Sequence, residues 1–230
     1  MSKRNLFQLL FFSIIAALMI FPVGASSITD GCIELPESEV QEIIERREMH
    51  VTDREPRKTN FDCFAVREDQ YYAIGYDAGF QRNHDEIAVF DASGRFLYSI
   101  HFTNDGSFSL MWEGDTLLVH MARSGYIYSL DQDGACVAIY DSEDDYEIGE
   151  HFRKNSNVYL LNKDKTYEEN GYHYVVSTRR IERTDPSGQT VVLYKVSSLK
   201  KWFMLAFVVF FPIFVIWGLF KAFQEEFKKE

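Results

Sequence analysis

FDASGRFLYSI at residues 90–100, LDQDGACVAIY at 130–140 and TDPSGQTVVLY at 184–194 share one pattern, and this pattern decides the fold. Each stretch has an Asp, then a Ser or Asp two positions later, then a Gly at the next position. Asp accepts hydrogen bonds from the backbone two residues further on, and Gly adopts a positive φ without steric cost. Each stretch therefore predicts a hairpin turn between two strands, at Asp91, Asp131 and Asp185.

More β-rich runs lie before each turn. Those next to the turns are EIAVFD, YIYSLD and RRIERTD, those before them are YYAIGYD, DTLLVHMAR and HYVVSTR, and the opening runs are NFDCFAVRE, GSFSLMW and SNVYLLN. Four strands and one D-x-x-G turn make a unit, and the unit occurs three times between residues 61 and 196. The sequence therefore predicts a mainly β domain of three four-stranded antiparallel repeats.

The spacing of these units is similar to that of a known repeat family. Successive turn Asp residues are 40 and 54 positions apart. A four-stranded unit of this size that ends in a D-x-x-G hairpin resembles a blade of a β-propeller, of the quinoprotein-like and NHL-type repeat families. Closed propellers have about four to eight blades, whereas this chain has three. The resemblance therefore implies either a partial propeller or an open β-sheet assembly, whose edges need a cover.

The C-terminal region contains a long apolar run. Residues 202–220 carry no charge and are flanked by Lys200, Lys201 and Lys221. At about 1.5 Å rise per residue, such a run has the length of a bilayer's hydrocarbon core. The run predicts a transmembrane helix, with its ends included at 199–221, followed by a cytoplasmic tail at 222–230.

The N-terminal region, residues 1–25, resembles a targeting segment. MSKRN is followed by an apolar run at 6–21, by Pro22 and by small residues at 23–27. This pattern predicts a secretory signal peptide, and the alternative is an uncleaved signal anchor. Both place the β-repeat domain, residues 61–198, outside the cytoplasm. The predicted location is the cell membrane, with one span, or with two if the signal remains.

Residues 26–60 connect the signal to the repeats. Ser38 and Gln41 match a capping box, and residues 40, 43 and 44 form an apolar stripe. These features predict a helix at 35–49. The polar residues 50–60 predict a linker.

The charge of the region between the two apolar runs excludes one class of partner. Residues 26–199 contain 17 Lys and Arg against 32 Asp and Glu, a formal charge of −15. A surface of this sign repels phosphate backbones, so nucleic acid is not expected as a partner. It also repels anionic headgroups, so the domain is expected to stand off the bilayer rather than lie on it, unless bound cations bridge the two.

An acidic run, DSEDDYE, occupies residues 141–147. Its carboxylates are weak candidate ligands for Ca²⁺, because a hard cation prefers several oxygen ligands. The run lacks the Gly and the spacing of an EF-hand loop, and the alternative is a charged solubilising loop. No other cofactor is predicted. The five candidate metal ligands are Asp141, Glu143, Asp144, Asp145 and Glu147.

The three cysteines, Cys32, Cys63 and Cys136, form no CxxC pair. An odd number leaves at least one thiol unpaired in each chain. A Cys32–Cys63 disulfide is one alternative in an oxidising compartment. The spacing matches no known framework, which favours free or buried thiols.

Catalytic and cofactor-binding motifs are absent from the sequence. It contains no P-loop, GxGxxG, HExxH or GxSxG pattern, and the six His residues have no ligand-type spacing. His120 lies in an apolar strand, which favours a structural role over that of a base. No catalytic or cofactor-binding residue is therefore predicted, and a role without catalysis is favoured over an enzyme.

The favoured function is binding of a protein or glycan partner by a membrane-anchored domain. The polar segments 141–155 and 162–170 are predicted to be long loops, where binding residues collect. Tyrosines in the repeats are candidates for stacking on sugars, although packing is the commoner role of a strand aromatic. The tyrosines concerned are Tyr71, Tyr72, Tyr76, Tyr126, Tyr128, Tyr140, Tyr146, Tyr172 and Tyr174.

Two other functions are consistent with the sequence. The first is an accessory subunit of a larger membrane complex, in which open sheet edges pair with another chain, as in a homodimer. The second is a membrane-bound hydrolase with dispersed catalytic residues. A hydrolase requires a pocket with convergent carboxylates and a His of perturbed pKa.

Overall fold

The computed structural model describes residues 27–76, 84–103, 106–142, 145–158, 164–196 and Phe211. Its named elements are fourteen strands and two helices. The strands are β1 (Ile33–Glu34), β2 (His50–Thr52), β3 (Cys63–Val66), β4 (Tyr72–Tyr76), β5 (His84–Phe90), β6 (Phe96–Thr103), β7 (Phe108–Glu113), β8 (Thr116–Met121), β9 (Tyr126–Leu130), β10 (Cys136–Asp141), β11 (Lys165–Glu169), β12 (Tyr172–Ser177), β13 (Arg180–Thr184) and β14 (Thr190–Lys195). The helices are α1 (Glu37–Arg46) and α2 (Tyr146–Ser156).

The strands form three antiparallel sheets. The first sheet has the order β2-β6-β5-β4-β3, the second β1-β10-β9-β8-β7, and the third β11-β12-β13-β14. Each sheet is built on four consecutive strands of the chain, β3–β6, β7–β10 or β11–β14, as the sequence predicts. The mainly β class and the three antiparallel repeats are confirmed, and the sheets do not close into a ring.

The three D-x-x-G turns have the predicted geometry. Asp91 Oδ1 accepts hydrogen bonds from the backbone N–H groups of Ser93 at 2.9 Å and Arg95 at 3.0 Å. The same pair of bonds recurs at Asp131 and Asp185. The Gly of each turn has a φ of +84°, +83° or +87°. The D-x-x-G motif therefore forms the same turn in all three sheets.

The first sheet is the middle layer of the stack, and its two faces enter different hydrophobic cores. Along β3, Cys63 and Ala65 pack into the core shared with the second sheet, whereas Phe64 packs into the core shared with the third. Successive strand residues point to opposite faces, so a strand covered on both sides consists of apolar residues throughout. The order of layers is therefore second sheet, first sheet, third sheet.

Helix α2 covers the far face of the second sheet. The sequence predicts a long loop at 141–155, whereas residues 146–156 form this helix. Its Ile148 and Phe152 pack against Leu118 and Ile127 of β8 and β9. Asp145 Oδ1 caps the helix by accepting from the N–H groups of residues 147 and 148. A cap followed by apolar residues four positions apart is a helix signal, and the acidic run obscured it in the sequence.

The start of the third repeat also differs from the prediction. β11 lies at 165–169, inside the predicted loop 162–170, and not at the SNVYLLN run. Asn157 of that run forms an isolated bridge with Cys63, and Val158 N–H donates to Asp62 O at 2.8 Å. Residues 159–163 lie outside the described residues. The chain leaving α2 thus passes the first sheet before the third begins, which places the third sheet on that side.

Residues 27–60 form more regular structure than the predicted helix and linker. Leu35 N–H donates to Ile139 O at 2.9 Å, so the chain stays paired with the second sheet up to the start of α1. The helix therefore begins at Glu37, and Pro36 occupies the N-cap position without a side-chain hydrogen bond, so the predicted capping box is wrong. In the predicted linker, 50–52 form β2 at the edge of the first sheet.

The predicted membrane segments fall largely outside the structure. The signal segment 1–25, the transmembrane run 202–220 and the tail 222–230 lie outside the described residues, except for Phe211. In the part of the chain that is described, no helix is both long enough and apolar enough to cross a bilayer.

All three cysteines are free thiols. Cys63 is fully buried in β3, and Cys32 and Cys136 are partly exposed. The Cys32–Cys63 disulfide is not formed, and the prediction of free or buried thiols is confirmed. Burial raises the pKa of the Cys63 thiol well above its ordinary value.

Candidate functional site

The molecule has two distinct ends along its strands. The D-x-x-G turns lie together at one end, where Arg183 Nη1 of the third sheet donates to Ala92 O of the first at 2.7 Å. We call the opposite end the foot. Strands β4, β6, β8, β10, β12 and β14 all run towards the foot, and the chain leaves the third sheet there after Lys195.

A polar pocket lies at the foot between the far face of the second sheet and α2. Its volume is about 300 Å³. This volume is at the lower end of the range for small-molecule sites. The polar residues lining it are Ser107, Ser109, His120, Ser142, Asp145, Tyr146, Glu150, Arg153 and Asn157.

The floor of the pocket is made by side chains that are both polar and buried. Ser109 of β7 and His120 of β8 are directly opposite partners in the sheet. Ser109 Oγ donates to Asn157 Oδ1 at 2.7 Å, and all three residues are less than 9 % exposed. Buried polar groups require hydrogen-bond partners, so the remaining donors and acceptors on this floor are suited to a polar molecule.

One face of the His120 ring packs against an apolar side chain. Its ring stacks on Phe152 with centroids 5.2 Å apart and planes 21° from parallel. A Cβ at Gly149 would lie 3.4 Å from His120 Cε1, so the helix backbone approaches the imidazole edge closely. Burial lowers the pKa of His120 from its ordinary value. The ring therefore stays uncharged at neutral pH and offers one donor and one acceptor.

The charged groups of the pocket form hydrogen bonds or ion pairs with other groups of the protein. Asp145 caps α2, and Glu150 forms an ion pair with Arg153 one turn along the helix. Within the described residues neither carboxylate hydrogen-bonds His120, and the Ser109 hydroxyl is directed at Asn157. A hydrolytic serine would need its base within hydrogen-bond reach, and this arrangement lacks that contact.

Tyr146, the first residue of α2, lies at the rim of this pocket with 75 % of its surface exposed. The other eight tyrosines considered for sugar stacking are buried or partly buried. Four of them, at 72, 76, 128 and 174, belong to the two main hydrophobic cores. Packing therefore accounts for those side chains, and Tyr146 is the one with an exposed ring.

The candidate Ca²⁺ ligands are only partly described. Glu143 and Asp144 lie outside the described residues, and Asp145 Oδ1 is occupied by two backbone N–H groups. Asp141 ends β10 and Glu147 lies in the first turn of α2. In the described part of the chain, no three His, Cys, Asp or Glu side chains converge as metal ligands.

A second cavity, of about 230 Å³, lies between the inner strands β3, β7 and β11. It is lined mainly by apolar side chains, with Trp112 on one wall. The guanidinium of Arg67 lies 5.1 Å from the Trp112 ring and 4.4 Å from the Tyr71 ring. Strands from all three sheets thus line this one cavity.

In the sequence Tyr146 belongs to an acidic run and His120 to an apolar strand, and no motif links the two. Both line the same pocket only because α2 folds back over the far face of the second sheet. Ser109 and Asn157 carry no motif and were not predicted as site residues. The signal that would have located the pocket is the Asp145 cap followed by Ile148 and Phe152.

Comparison with known proteins adds no assignment. No protein-family model matches this chain, and no curated protein aligns with it significantly. Its function is therefore inferred from the geometry of the polar pocket.

Proposed function

We propose that this chain is a membrane-anchored extracytoplasmic binding domain, and that its polar pocket holds a sugar residue of a glycan partner. The observation that carries the proposal is the exposed ring of Tyr146 at the rim of a pocket floored by Ser109, His120 and Asn157. A pyranose has an apolar C–H face and an edge of hydroxyls. An aromatic ring beside fixed hydrogen-bonding groups matches both surfaces.

The pocket favours an uncharged sugar. Arg153 is neutralised by Glu150, Asp145 is bonded to the helix N-terminus, and burial keeps His120 neutral. The region between the apolar runs has a formal charge of −15, which disfavours polyanionic glycans. Neutral hexose-containing glycans are the ligand class we propose.

The scaffold for this pocket is a partial propeller. The inner strands of the three four-stranded blades face one axis. The cavity between β3, β7 and β11 supports this arrangement. Helix α2 occupies the far face of the second sheet, where a regular propeller would pack its next blade. The helix therefore covers this face in place of a further blade. The pocket forms between the helix and the sheet.

Substitution of Tyr146 tests the proposal. Loss of the stacking ring in Tyr146→Ala should weaken binding of a neutral glycan about two- to tenfold, because aromatic stacking contributes roughly 0.5–1.5 kcal/mol. Tyr146→Phe keeps the ring and should bind as the native protein does. The measurement is titration of detergent-solubilised full-length chain with the best ligand from a glycan array. Val137→Ala, at another exposed apolar side chain, is the matched control.

Two outcomes of this titration would contradict the proposal. One is equal affinity of Tyr146→Ala and the native chain for every glycan that binds. The other is an array on which no neutral glycan binds the native chain.

A second candidate function is an accessory subunit that docks a protein on the third sheet. No described residue covers the outer face of this sheet, where Val175 lies beside Glu182 and Val192 in one cross-strand row. Val192 is 44 % exposed. Light scattering of the full-length chain in detergent separates the cases. A dimer abolished by Val192→Lys would support docking through this face, and a monomer would exclude the homodimer.

A further inference from the structure

A cluster of cations lies at the foot of the third sheet, where the chain leaves the domain. Four of the five are exposed, and Arg179 is partly buried. We call this cluster the basic foot. Its members are Arg57, Lys58, Arg179, Arg180 and Lys195.

Hydrogen bonds hold two separate segments together in this cluster. Thr59 N–H donates to Tyr194 Oη at 2.9 Å, and the Tyr194 hydroxyl donates to Thr59 O at 2.8 Å. Phe61 N–H donates to Thr178 O at 2.9 Å. These bonds fix residues 57–58 beside the β12–β13 turn and the end of β14. The cluster is therefore part of the folded domain.

The basic foot differs in sign from the rest of the domain. The carboxylates paired within it are Glu55, which lies 3.9 Å from Lys58, and Glu182, which pairs with Arg180. Five cations against two carboxylates give a local excess of positive charge, in a region whose formal charge is −15. Lys200 and Lys201 follow within a few residues in the sequence.

Chain length brings this cluster close to the predicted membrane span. Only residues 197–201 separate Val196 from the apolar run that begins at Trp202. At roughly 3.5 Å for each extended residue, such a connection reaches about 20 Å at most. A connection this short lets the basic foot come within one Debye length of the headgroups, about 8 Å at physiological salt, which is the range over which exposed charges attract.

We propose that the basic foot binds anionic lipid headgroups of the bilayer that holds residues 202–220. The proposal rests on the membrane anchor of the proposed function, and not on its pocket. The foot of the second sheet carries Asp141, Asp145 and Glu147, which the same headgroups repel. Attraction at one side and repulsion at the other tilt the domain, so that the third sheet faces the bilayer and the polar pocket is raised away from it.

Hydrogen exchange of full-length chain in nanodiscs tests this contact. Discs of phosphatidylcholine alone are compared with discs that also contain phosphatidylglycerol. Anionic lipid should slow exchange in the peptides that contain residues 178–181 and 194–196. It should leave the 131–135 turn, at the opposite end, unchanged. Equal exchange of the foot peptides in both discs overturns the proposal.

Charge-removing variants identify the groups responsible. In R57Q/K58Q/R180Q the lipid-dependent protection of the foot should disappear, whereas Arg95→Gln, an exposed arginine at the D-x-x-G end, should behave as the native chain. Each removed charge should weaken binding to anionic vesicles about fivefold. Unaltered protection in the triple variant would refute the role of these cations.

Failure of the anchor is distinguishable from failure of the basic foot. A chain that does not enter nanodiscs lacks the anchor. It is then sedimented with vesicles of the same two compositions. Binding to the anionic vesicles that the triple variant loses supports the basic foot, and absence of charge-dependent binding overturns it.

Discussion

Gly75→Ala should destabilise the protein by about 3 kcal/mol or more, because β4 has no room for a methyl group at this position. A Cβ at Gly75 would lie 2.2 Å from Cys63 Sγ and 2.6 Å from Cε2 of Phe108. Cys63 belongs to the neighbouring strand of the first sheet, and Phe108 belongs to the second sheet. The absence of a side chain lets the two sheets approach. Both neighbours are at least 98 % buried and cannot move aside into solvent.

Urea unfolding of the native chain and the variant in the same detergent measures the loss. A double-mutant cycle with Cys63→Ala provides the control, because removal of Sγ takes away the closest clash. The two substitutions together should therefore cost less than the sum of their separate effects. A Gly75→Ala variant with the unfolding midpoint of the native chain would contradict the described packing of the first two sheets.

Gly134→Ala should be more destabilising than Gly188→Ala by about 1–3 kcal/mol, although both glycines end equivalent D-x-x-G turns. Their φ values are +83° and +87°, so the backbone strain introduced by Ala is the same, roughly 1–2 kcal/mol. The surroundings differ. A Cβ at Gly134 would lie 2.7 Å from Cε2 of Tyr98, whereas among the described residues only those adjoining Gly188 in the chain come within 4 Å of one there.

The difference between these two variants isolates contact between the sheets. Tyr98 belongs to the first sheet, and the Gly134 turn belongs to the second. Replacing Tyr98 by Ala should relieve the additional loss in Gly134→Ala and leave the effect of Gly188→Ala unchanged. Thermal unfolding followed by circular dichroism measures the native chain, the three single variants and the two double variants. An equal loss of stability in the two glycine variants would show that the second hairpin does not pack on the first sheet.

Local structure was predictable because its signals are local. An Asp and a Gly at fixed spacing determine a turn through bonds within five residues, and those bonds form at Asp91, Asp131 and Asp185. The strands between the turns are apolar enough to identify. The sheets and their strand order within each repeat follow from these two signals.

The stacking of the sheets was not predictable, because it depends on the path of the chain between repeats. Helix α2 and the Asn157 bridge take the chain back past the first sheet, so that the third sheet packs there. The edge strands β1 and β2 were also missed. They are two and three residues long, and they are mostly exposed, so neither shows the alternation by which a strand is recognised.

The candidate pocket escaped prediction for the same reason. His120 looked like an ordinary strand residue, and Tyr146 belonged to an acidic run interpreted as a loop. Only the folded α2 places Tyr146 at the rim of the pocket whose floor Ser109 and His120 form. A site assembled from a helix and two strands distant in sequence carries no motif, so its residue types alone do not reveal it.

Photo-crosslinking from position 146 in native membranes tests the binding role most directly. A benzoylphenylalanine at this position keeps an aromatic ring at the rim of the pocket and captures what lies against it. We predict capture of a glycosylated partner, which enzymatic removal of its glycans before irradiation abolishes. The same probe at Val137 should capture nothing equivalent. Capture from position 146 that deglycosylation leaves unchanged, or no capture at all, would contradict a sugar-binding pocket.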